Sequence, residues 1–249
     1  MANPTAAICV IGDEILSGRT KDKNIGWLAE QLTGIGIQLV EARIIADVKD
    51  TIIRHITDLS AANDYVFTSG GIGPTHDDIT TVSVAEAFGV AVERNEEAMR
   101  RLEHHYMGTE IVLNEVRKKM ADIPVGATLI DNPVSAAPGF CLNNVYVMAG
   151  VPSIMQSMFG CLAPSLQGGT VPTRLTVQCA TGEGNIAHIL EQISKKYNAT
   201  SVGSYPWFKP GQFGTAVVLT GLDKTKVKSA ADELCTLIKK AGYKAENPV

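Results

Sequence analysis

Short apolar runs of β-favouring residues alternate with segments of helical period in the first third of the chain, and this alternation limits the possible folds more than any other feature. The predicted strands are TAAICVI at 5–11, IQLVEARII at 37–45 and YVFTS at 65–69. Between them apolar residues recur every three or four positions, and Asn24 is predicted to cap the first helix. Strands alternating with helices predict βαβ units around a parallel sheet.

Acidic residues and glycines follow each of these strands. Asp13 and Glu14 follow the first strand, Asp47 follows the second, and the third runs into TSGGIGPTHDDIT at 68–80. Right-handed crossovers bring the carboxyl ends of parallel strands to one edge, where open α/β sheets bind ligands. The three loops are therefore predicted to converge on one site, although a DE pair in a loop is also compatible with ordinary surface acids.

The stretch at 68–80 begins as a glycine-rich turn. Gly70, Gly71 and Gly73 leave the backbone bare, so that N–H groups ahead of a helix can approach a phosphate. The alternative interpretation is a tight turn that needs positive φ. The dinucleotide fingerprint lacks its third glycine here, because His76 stands in its place, and the chain has no P-loop motif. Both of those nucleotide-binding classes are disfavoured.

The same stretch ends in two carboxylates. Asp78 forms a capping-box pattern with Thr75 and so has a structural explanation, whereas Asp77 has none. Carboxylates beside a phosphate site would repel a pyrophosphate unless a divalent cation lies between them, and Mg²⁺ binds one or two carboxylates together with phosphate oxygens and water. The pattern predicts metal-assisted chemistry at phosphorus, with Asp13 and Asp77 as the metal ligands.

The rest of the first half is predicted to continue with helices and late strands. A helix follows the glycine turn up to Gly89, Asn95 caps another, and 111–120 continues the helical region to Pro124. ATLI and FCLNNVYVMA are predicted strands with DNPVSAAPG between them at 131–139, and GVPS opens the next helix.

A domain boundary is predicted where Gly and Pro cluster at 166–174, which divides the chain into domains at 1–168 and 169–249. The second part has the pattern of a β-α-β-β-α unit. Residues 1–169 hold 12 basic and 20 acidic side chains, whereas residues 170–249 hold 10 and 6. This contrast supports two modules.

The 249-residue chain is 45% hydrophobic and 19% charged with a net charge of −4, so a large core is expected and nothing points to nucleic acid or a membrane surface as partner. GQFG at 211–214 resembles the loop of KH RNA-binding domains but precedes a strand. The five cysteines are dispersed without a CxxC, and no apolar run reaches about 18 residues, so a cytoplasmic protein with reduced thiols is predicted.

Four segments together resemble the amino-terminal part of CinA, the competence/damage-inducible proteins, which carries the molybdopterin-binding (MogA/MoaB-like) domain. They are VIGDEILSGRTKDKN, TSGGIGPTHDDIT, NEVRKKMADIPVGATLIDNPVSAAPGF and AGVPSIM. The segment with GSYP at 203–206 is similar to the small KH-like domain that follows there. The resemblance implies an α/β fold: a three-layer α/β/α domain with a mostly parallel sheet, plus a small C-terminal α+β domain. It does not extend to the deamidase domain of longer CinA proteins, so no deamidase activity is expected.

The resemblance also implies an activity. CinA-type proteins are metal-dependent pyrophosphatases of ADP-ribose, the related module of eukaryotic FAD synthase acts on FAD, and the MogA branch adenylylates molybdopterin. We therefore expect a hydrolase of a nucleotide pyrophosphate that uses Mg²⁺, Mn²⁺ or Co²⁺. The alternatives are a binding protein for molybdopterin or a nucleotide without turnover, and adenylyl transfer to a pterin. A homo-oligomer with a small-molecule partner is expected by the same analogy.

Position by position, the resemblance implies four catalytic carboxylates, which are Asp13, Glu14, Asp77 and Asp78. The substrate-binding positions that it implies are Asn24, Asp47, Ser69, Gly70, Gly71, Gly73, Thr75, Asn114, Pro138 and Gly139. Two places depart from the family pattern: the usual GTAPG is replaced by Ser135-Ala136-Ala137-Pro138-Gly139, and Ile154 stands where an acid is expected. Either departure is expected to alter substrate choice or turnover.

Overall fold

The computed structural model describes residues 2–249, which divide into two units at Gly169 and Thr170. The strands of the first unit are β1 (Thr5–Ile11), β2 (Gln38–Ile45), β3 (Tyr65–Ser69), β4 (Val92–Arg94), β5 (Asp122–Pro124), β6 (Thr128–Ile130), β7 (Gly139–Leu142) and β8 (Val145–Met148). Its α-helices are α1 (Asp13–Leu16), α2 (Asn24–Gly34), α3 (Lys49–Ala62), α4 (Thr80–Ala87), α5 (Glu96–Tyr106), α6 (Glu115–Lys118) and α7 (Pro152–Leu162). Two single 3₁₀ turns lie at Lys119–Ala121 and Ala163–Ser165.

The sheet of the first unit has the strand order β2-β1-β3-β8-β7-β6. β1 pairs in parallel with β2 and β3, and β3 pairs in parallel with β8. The last two strands add to this sheet in antiparallel pairs. The predicted α/β class with a mostly parallel sheet is therefore confirmed.

Strand β1 is buried because both of its faces are covered by helices. Ala7, Cys9 and Ile11 pack on the side of α3, α4 and α5, whereas Ile8 and Val10 pack on the side of α2 and α7. Each fully buried aliphatic side chain of this kind stabilises the fold by roughly 1.5–3 kcal/mol. Successive side chains of β1 point to opposite faces of the sheet, and both faces are apolar. Helices therefore cover the sheet on both sides, which gives three layers.

Two local predictions were wrong. The region 111–120 is not a continuous helix: α6 spans four residues, a 3₁₀ turn follows, and β5 then pairs with β4. Asn24 does not cap α2 with its side chain; Asp22 instead accepts hydrogen bonds from the N–H groups of Asn24 and Ile25, at 3.2 and 3.1 Å. FCLNNVYVMA is a hairpin of β7 and β8 that turns at Asn143, whose φ is +54°.

The second unit has the order β9 (Thr173–Cys179), α8 (Glu183–Lys196), β10 (Ser201–Lys209), β11 (Gln212–Gly221) and α9 (Lys224–Lys240). Its antiparallel sheet has the order β10-β11-β9, and both helices pack on one core around Val177 and Val217. Gly211 of GQFG lies in the turn between β10 and β11, so this motif is not a loop between helices. No helix within residues 2–249 combines the length and the apolar character needed to cross a bilayer.

Candidate active site at the carboxyl edge of the sheet

A cleft of about 570 Å³ opens at the carboxyl ends of β1, β2 and β3. Seven of the predicted site residues line it: Glu14, Asp47, Gly70, Gly71, Gly73, Asp77 and Asp78. The three loops that were predicted to converge thus contribute to one cavity. Short crossovers between parallel strands explain this convergence, because they return every strand end to the same edge.

The turn after β3 depends on glycine at two positions. Gly70 and Gly71 have φ angles of +112° and +69°, which L-residues with a side chain rarely adopt. A Cβ atom at Gly70 would also collide with the Ile11 carbonyl, and one at Gly71 would collide with the Thr80 hydroxyl. That hydroxyl donates to the carbonyl of Gly70 at 3.0 Å and holds the turn against α4. The glycines are therefore needed for a tight turn, and this is compatible with a backbone that approaches a phosphate.

The backbone after this turn has N–H groups without an acceptor within residues 2–249. In the part of the chain that the structure describes, the N–H groups of Gly71, Ile72 and Gly73 donate no hydrogen bond to another protein group. All three residues line the cleft. Successive free N–H groups form the kind of concavity that binds anions.

The turn from Thr75 to Asp78 is closed by its own side chains. One oxygen of Asp78 accepts from the Thr75 N–H at 2.8 Å and from the Thr75 hydroxyl at 2.5 Å. The Asp78 N–H donates back to the Thr75 carbonyl at 3.3 Å. The predicted pairing of Thr75 with Asp78 thus exists, but it closes the turn ahead of α4, which begins only at Thr80. A Cβ atom at Gly73 would come within 2.6 Å of the Asp78 carboxylate, so Gly73 leaves room for this closure.

Asp77 is exposed on the cleft side of the same turn. The pKa of Asp77 is lowered, first by the nearby Thr75 hydroxyl, then by its own N–H and, more weakly, by His76 and Lys119. The carboxylate therefore stays ionised at neutral pH. His76 itself lines a separate groove with Arg94 and Lys119 rather than the cleft.

Asp47 faces Asp77 from the β2 side, and its ionised form is disfavoured there. Burial raises the pKa of Asp47, and so does repulsion by Asp13, Glu14 and Asp77, whereas a hydrogen bond from the Asp13 N–H lowers it. That bond joins Asp13 N to Asp47 Oδ2 at 2.9 Å. Asp13 is exposed and does not line the cleft, so its backbone supports Asp47 while Glu14 and Asp47 line the wall.

The carboxylates at the cleft could bind a cation only together with other ligands. Within residues 2–249, no three His, Cys, Asp or Glu side chains stand close enough together to hold a metal ion by themselves. A Mg²⁺-type ion, however, keeps several waters and binds through one or two carboxylates and the oxygens of a phosphate. The residues present fit an ion that completes its shell with the ligand's phosphates.

Asn24 and Ser69 support the edge from behind. Asn24 Nδ2 donates to Ser69 Oγ at 2.7 Å and to the Gly150 carbonyl at 2.9 Å, which ties α2 to the ends of β3 and β8. Both residues line a small adjoining cavity of about 60 Å³ instead of the cleft. Gly150 is close behind the glycine turn, since a Cβ there would lie 3.2 Å from the Gly70 Cα.

The structure does not bring four other predicted positions to the cleft wall. Thr75 belongs to the closed turn, and Asn114 caps α6 by accepting from the Arg117 N–H at 3.0 Å. Pro138 lines a small separate cavity. Gly139 is buried at the start of β7, where a Cβ would collide with the Val147 carbonyl and the Met158 side chain. Thr75, Asn114 and Gly139 thus have contacts within the fold that account for their residue types.

The opposite wall contains residues that the sequence did not single out as ligand-binding. Asn132 is 6% exposed and organises the loop at 131–139: Nδ2 donates to Ser135 Oγ at 2.7 Å and to the Ala137 carbonyl at 2.8 Å, while Oδ1 accepts from the Val134 and Ser135 N–H groups. The Asn-Pro pair was the available signal, because such pairs initiate turns. Ser135 and Ile154, which depart from the family pattern, both line the cleft.

Residues 7–168 match the family described as "Probable molybdopterin binding domain". The chain belongs to the molybdopterin-binding domain family. Residues 173–246 match a second family, described as "FAD synthase, middle domain". The resemblance found in the motifs is thus confirmed, and the family fold agrees with the sheet and helices described above.

Relatives of this molybdopterin-binding family member cover most of the chain. A protein of Archaeoglobus fulgidus is 32% identical over 231 residues, which are 93% of this chain and 96% of the relative. A "Probable FAD synthase" of Caenorhabditis briggsae is 31% identical over 243 residues, and the chain spans 46% of its length. The solved structure of CinA from Thermoplasma acidophilum, a protein of unknown function, is 31% identical with a TM-score of 0.60, over 65% of this chain and 98% of that one.

Proposed function

We propose that the protein is a metal-dependent hydrolase of a nucleotide pyrophosphate linkage, with a substrate of the ADP-ribose or FAD class. The observation that carries this proposal is the meeting of free N–H groups at Gly71, Ile72 and Gly73 with the carboxylates of Asp47 and Asp77 in one cleft. N–H donors favour an anion and carboxylates favour a cation, so a phosphate that arrives with a divalent metal satisfies both. The matches to the FAD synthase middle domain and to a probable FAD synthase support a substrate with a phosphoanhydride.

Each residue at the cleft has a role that follows from its position. The N–H groups of residues 71–73 bind the pyrophosphate and stabilise the charge that develops during its cleavage. Asp77 and Asp47 would hold the cation, with Asp13 keeping Asp47 in place through its N–H. When bound, such a cation polarises the phosphoryl group and neutralises its charge. Asp78 is engaged with Thr75, which leaves Glu14 to orient the attacking water.

Product analysis tests the proposal directly. Purified protein is offered ADP-ribose, FAD, NAD and ATP, each with Mg²⁺, Mn²⁺, Co²⁺ or chelator, and products are identified by chromatography and mass spectrometry. We expect AMP to be released only with metal, and Asp77→Asn to reduce the rate about 100-fold or more. Asp50→Asn, at an exposed acid on α3 that does not line the cleft, is the matched control and should keep full activity. Metal-dependent hydrolysis that survives in Asp77→Asn would refute the assignment of Asp77.

A second candidate is a binding protein for a pterin or a nucleotide, without turnover. The observation in its favour is that Ala137, Val151 and Ile154, which also line the cleft, provide no group for chemistry. Tight binding of one of the offered compounds, with no product after long incubation at excess protein, would support this candidate. Adenylyl transfer would appear instead as ATP consumption that depends on added molybdopterin.

A further inference from the structure

Lys119 braces the turn that carries Asp77. Its side chain extends from the 3₁₀ turn at Lys119–Ala121, and Nζ donates to the Thr75 carbonyl at 2.8 Å and to the Asp78 carbonyl at 3.0 Å. These two carbonyls lie at the two ends of the four-residue turn. The Lys119 ammonium group therefore binds both ends of the Thr75–Asp78 turn, which contains Asp77.

The charge of Lys119 is not used in an ion pair. Its neighbour Lys118 pairs with Glu115, and Arg94, which lines the same groove, pairs with Asp122. Within residues 2–249, Lys119 has no carboxylate oxygen at ion-pair distance. An ammonium donating to two backbone carbonyls makes charge-assisted hydrogen bonds, which are stronger than neutral ones.

The turn has an inner closure and an outer brace. The inner closure is the Asp78 carboxylate on the Thr75 N–H and hydroxyl, and the outer brace is Lys119 on the two carbonyls. The same 3₁₀ turn places the next residue, Met120, in the wall of the cleft. Movement of this segment would therefore displace the cleft wall and the acidic turn together.

We propose that Lys119 is a positioning residue for the active site, because it fixes the Thr75–Asp78 turn with Asp77 facing the cleft. This inference rests on the proposed function in one respect, namely that Asp77 holds the cation. Nothing in the sequence pattern singled out Lys119, since it lies 41 and 44 residues from its two acceptors in a run of basic residues. The inference concerns the ammonium donors, so a side chain of similar length without donors should not replace them.

The experiment compares Lys119→Met and Lys119→Arg with Lys118→Met. The last variant makes the same chemical change one residue away, at a surface ion pair, and serves as the control. Amide hydrogen exchange of the peptide covering 70–80 is measured in the full-length protein without substrate. We expect Lys119→Met to accelerate exchange of this peptide about tenfold, because two hydrogen bonds to a charged group are lost. Lys119→Arg should restore most of the protection, and Lys118→Met should match the wild type.

The second measurement is the Mg²⁺ concentration that gives half-maximal release of AMP from ADP-ribose. It should rise about tenfold in Lys119→Met and remain unchanged in Lys118→Met, since the loss of positioning weakens the hold on the cation. Exchange of 70–80 that is equal in Lys119→Met and Lys118→Met would overturn the inference. If the wild type releases no AMP from any compound, the proposed hydrolase fails, whereas the exchange result still decides whether Lys119 braces the turn.

Discussion

Ala136 adopts a left-handed backbone conformation with a φ of +58°, in the loop between β6 and β7. Asn132 holds the loop in this shape, since its carbonyl accepts from the Ala136 N–H at 3.0 Å and its side chain binds Val134, Ser135 and Ala137. The left-handed region costs an L-residue with a Cβ roughly 1–2 kcal/mol, a cost that glycine does not have. Ala136 is thus a strained residue between Ser135 and Ala137, which line the cleft.

Ala136→Gly is expected to stabilise the protein by about 0.5–1 kcal/mol, because relief of the strain exceeds the added entropy of the unfolded chain. Ala137→Gly is the control: Ala137 has no positive φ, so the same change should destabilise the protein by about 0.5–1 kcal/mol. Urea denaturation of the three proteins measures both effects. Equal effects of the two substitutions would contradict the assignment of strain to Ala136.

Thiol reactivity should follow burial at the residue scale. Burial raises the pKa of Cys9 to about 12 and that of Cys179 to about 11, whereas Cys161 is exposed on α7. At pH 8 the Cys9 thiolate is then on the order of one molecule in ten thousand. We expect N-ethylmaleimide to label Cys161 first in the native protein, with Cys9 and Cys179 labelled only after denaturation. Peptide mass spectrometry measures the order, and rapid native labelling of Cys9 would show that β1 opens.

Helix α2 illustrates how an element is positioned by two residues with different tasks. Asp22 accepts from the first N–H groups of the helix, and Asn24 directs its side chain away from them, to Ser69 and Gly150. Helix ends need such an acceptor because their first N–H groups have no partner within the helix. The helix start is therefore capped by Asp22, while Asn24 joins three elements at the edge of the sheet.

Asp22→Ala is expected to lower the free energy of unfolding by about 1 kcal/mol, which is the usual loss on removing a side-chain cap. Lys21→Ala, one residue away and exposed, should change it by less than about 0.5 kcal/mol. Denaturant unfolding monitored by circular dichroism compares the two variants with the wild type. If Asp22→Ala leaves the free energy of unfolding unchanged, α2 is held by its packing alone.

The elements also show how far local pattern predicts local structure. β1 and β3 begin and end as predicted, because an uninterrupted apolar run bounded by polar residues or glycine has few other solutions. The helical prediction for 111–120 was only partly right: α6 and a 3₁₀ turn lie there, but 111–114 is not helical, and β5 pairs with β4, about 30 residues earlier. The β7–β8 hairpin has its signal in the Asn143-Asn144 pair, since asparagine tolerates a positive φ.

The two units of the molecule each have their own hydrophobic core. In the second unit the chain end covers one edge of the sheet: Val249 exchanges hydrogen bonds with Thr176, and Glu246 N–H donates to the Gln178 carbonyl. An 80-residue unit with a core of its own and a covered edge meets the requirements of an independent domain.

A fragment comprising residues 170–249 is expected to fold by itself and to unfold in one cooperative transition. Removal of residues 244–249 from this fragment should lower its stability, because β9 then loses the hydrogen bonds of the tail. Thermal unfolding followed by circular dichroism tests both. A fragment without a cooperative transition would contradict the independence of the second unit.

A homo-oligomer remains a prediction at the scale of the whole molecule. Light scattering coupled to gel filtration should give a mass that is a multiple of 26.5 kDa. A mass of 26.5 kDa at every concentration would refute it.

The sequence by itself determined the alternation of strands and helices around the sheet, the convergence of acids and glycines on one sheet edge, and the family. These follow from local spacing, from the handedness of crossovers and from motifs read within a few residues. Only the tertiary structure decided which of those residues line the cleft. Asn24 turned out to bind Ser69 and Gly150, 45 and 126 residues away, and Lys119 binds the turn at Thr75. The direction of a polar side chain depends on partners that folding brings close to it. The spacing of residues along the chain does not predict these contacts.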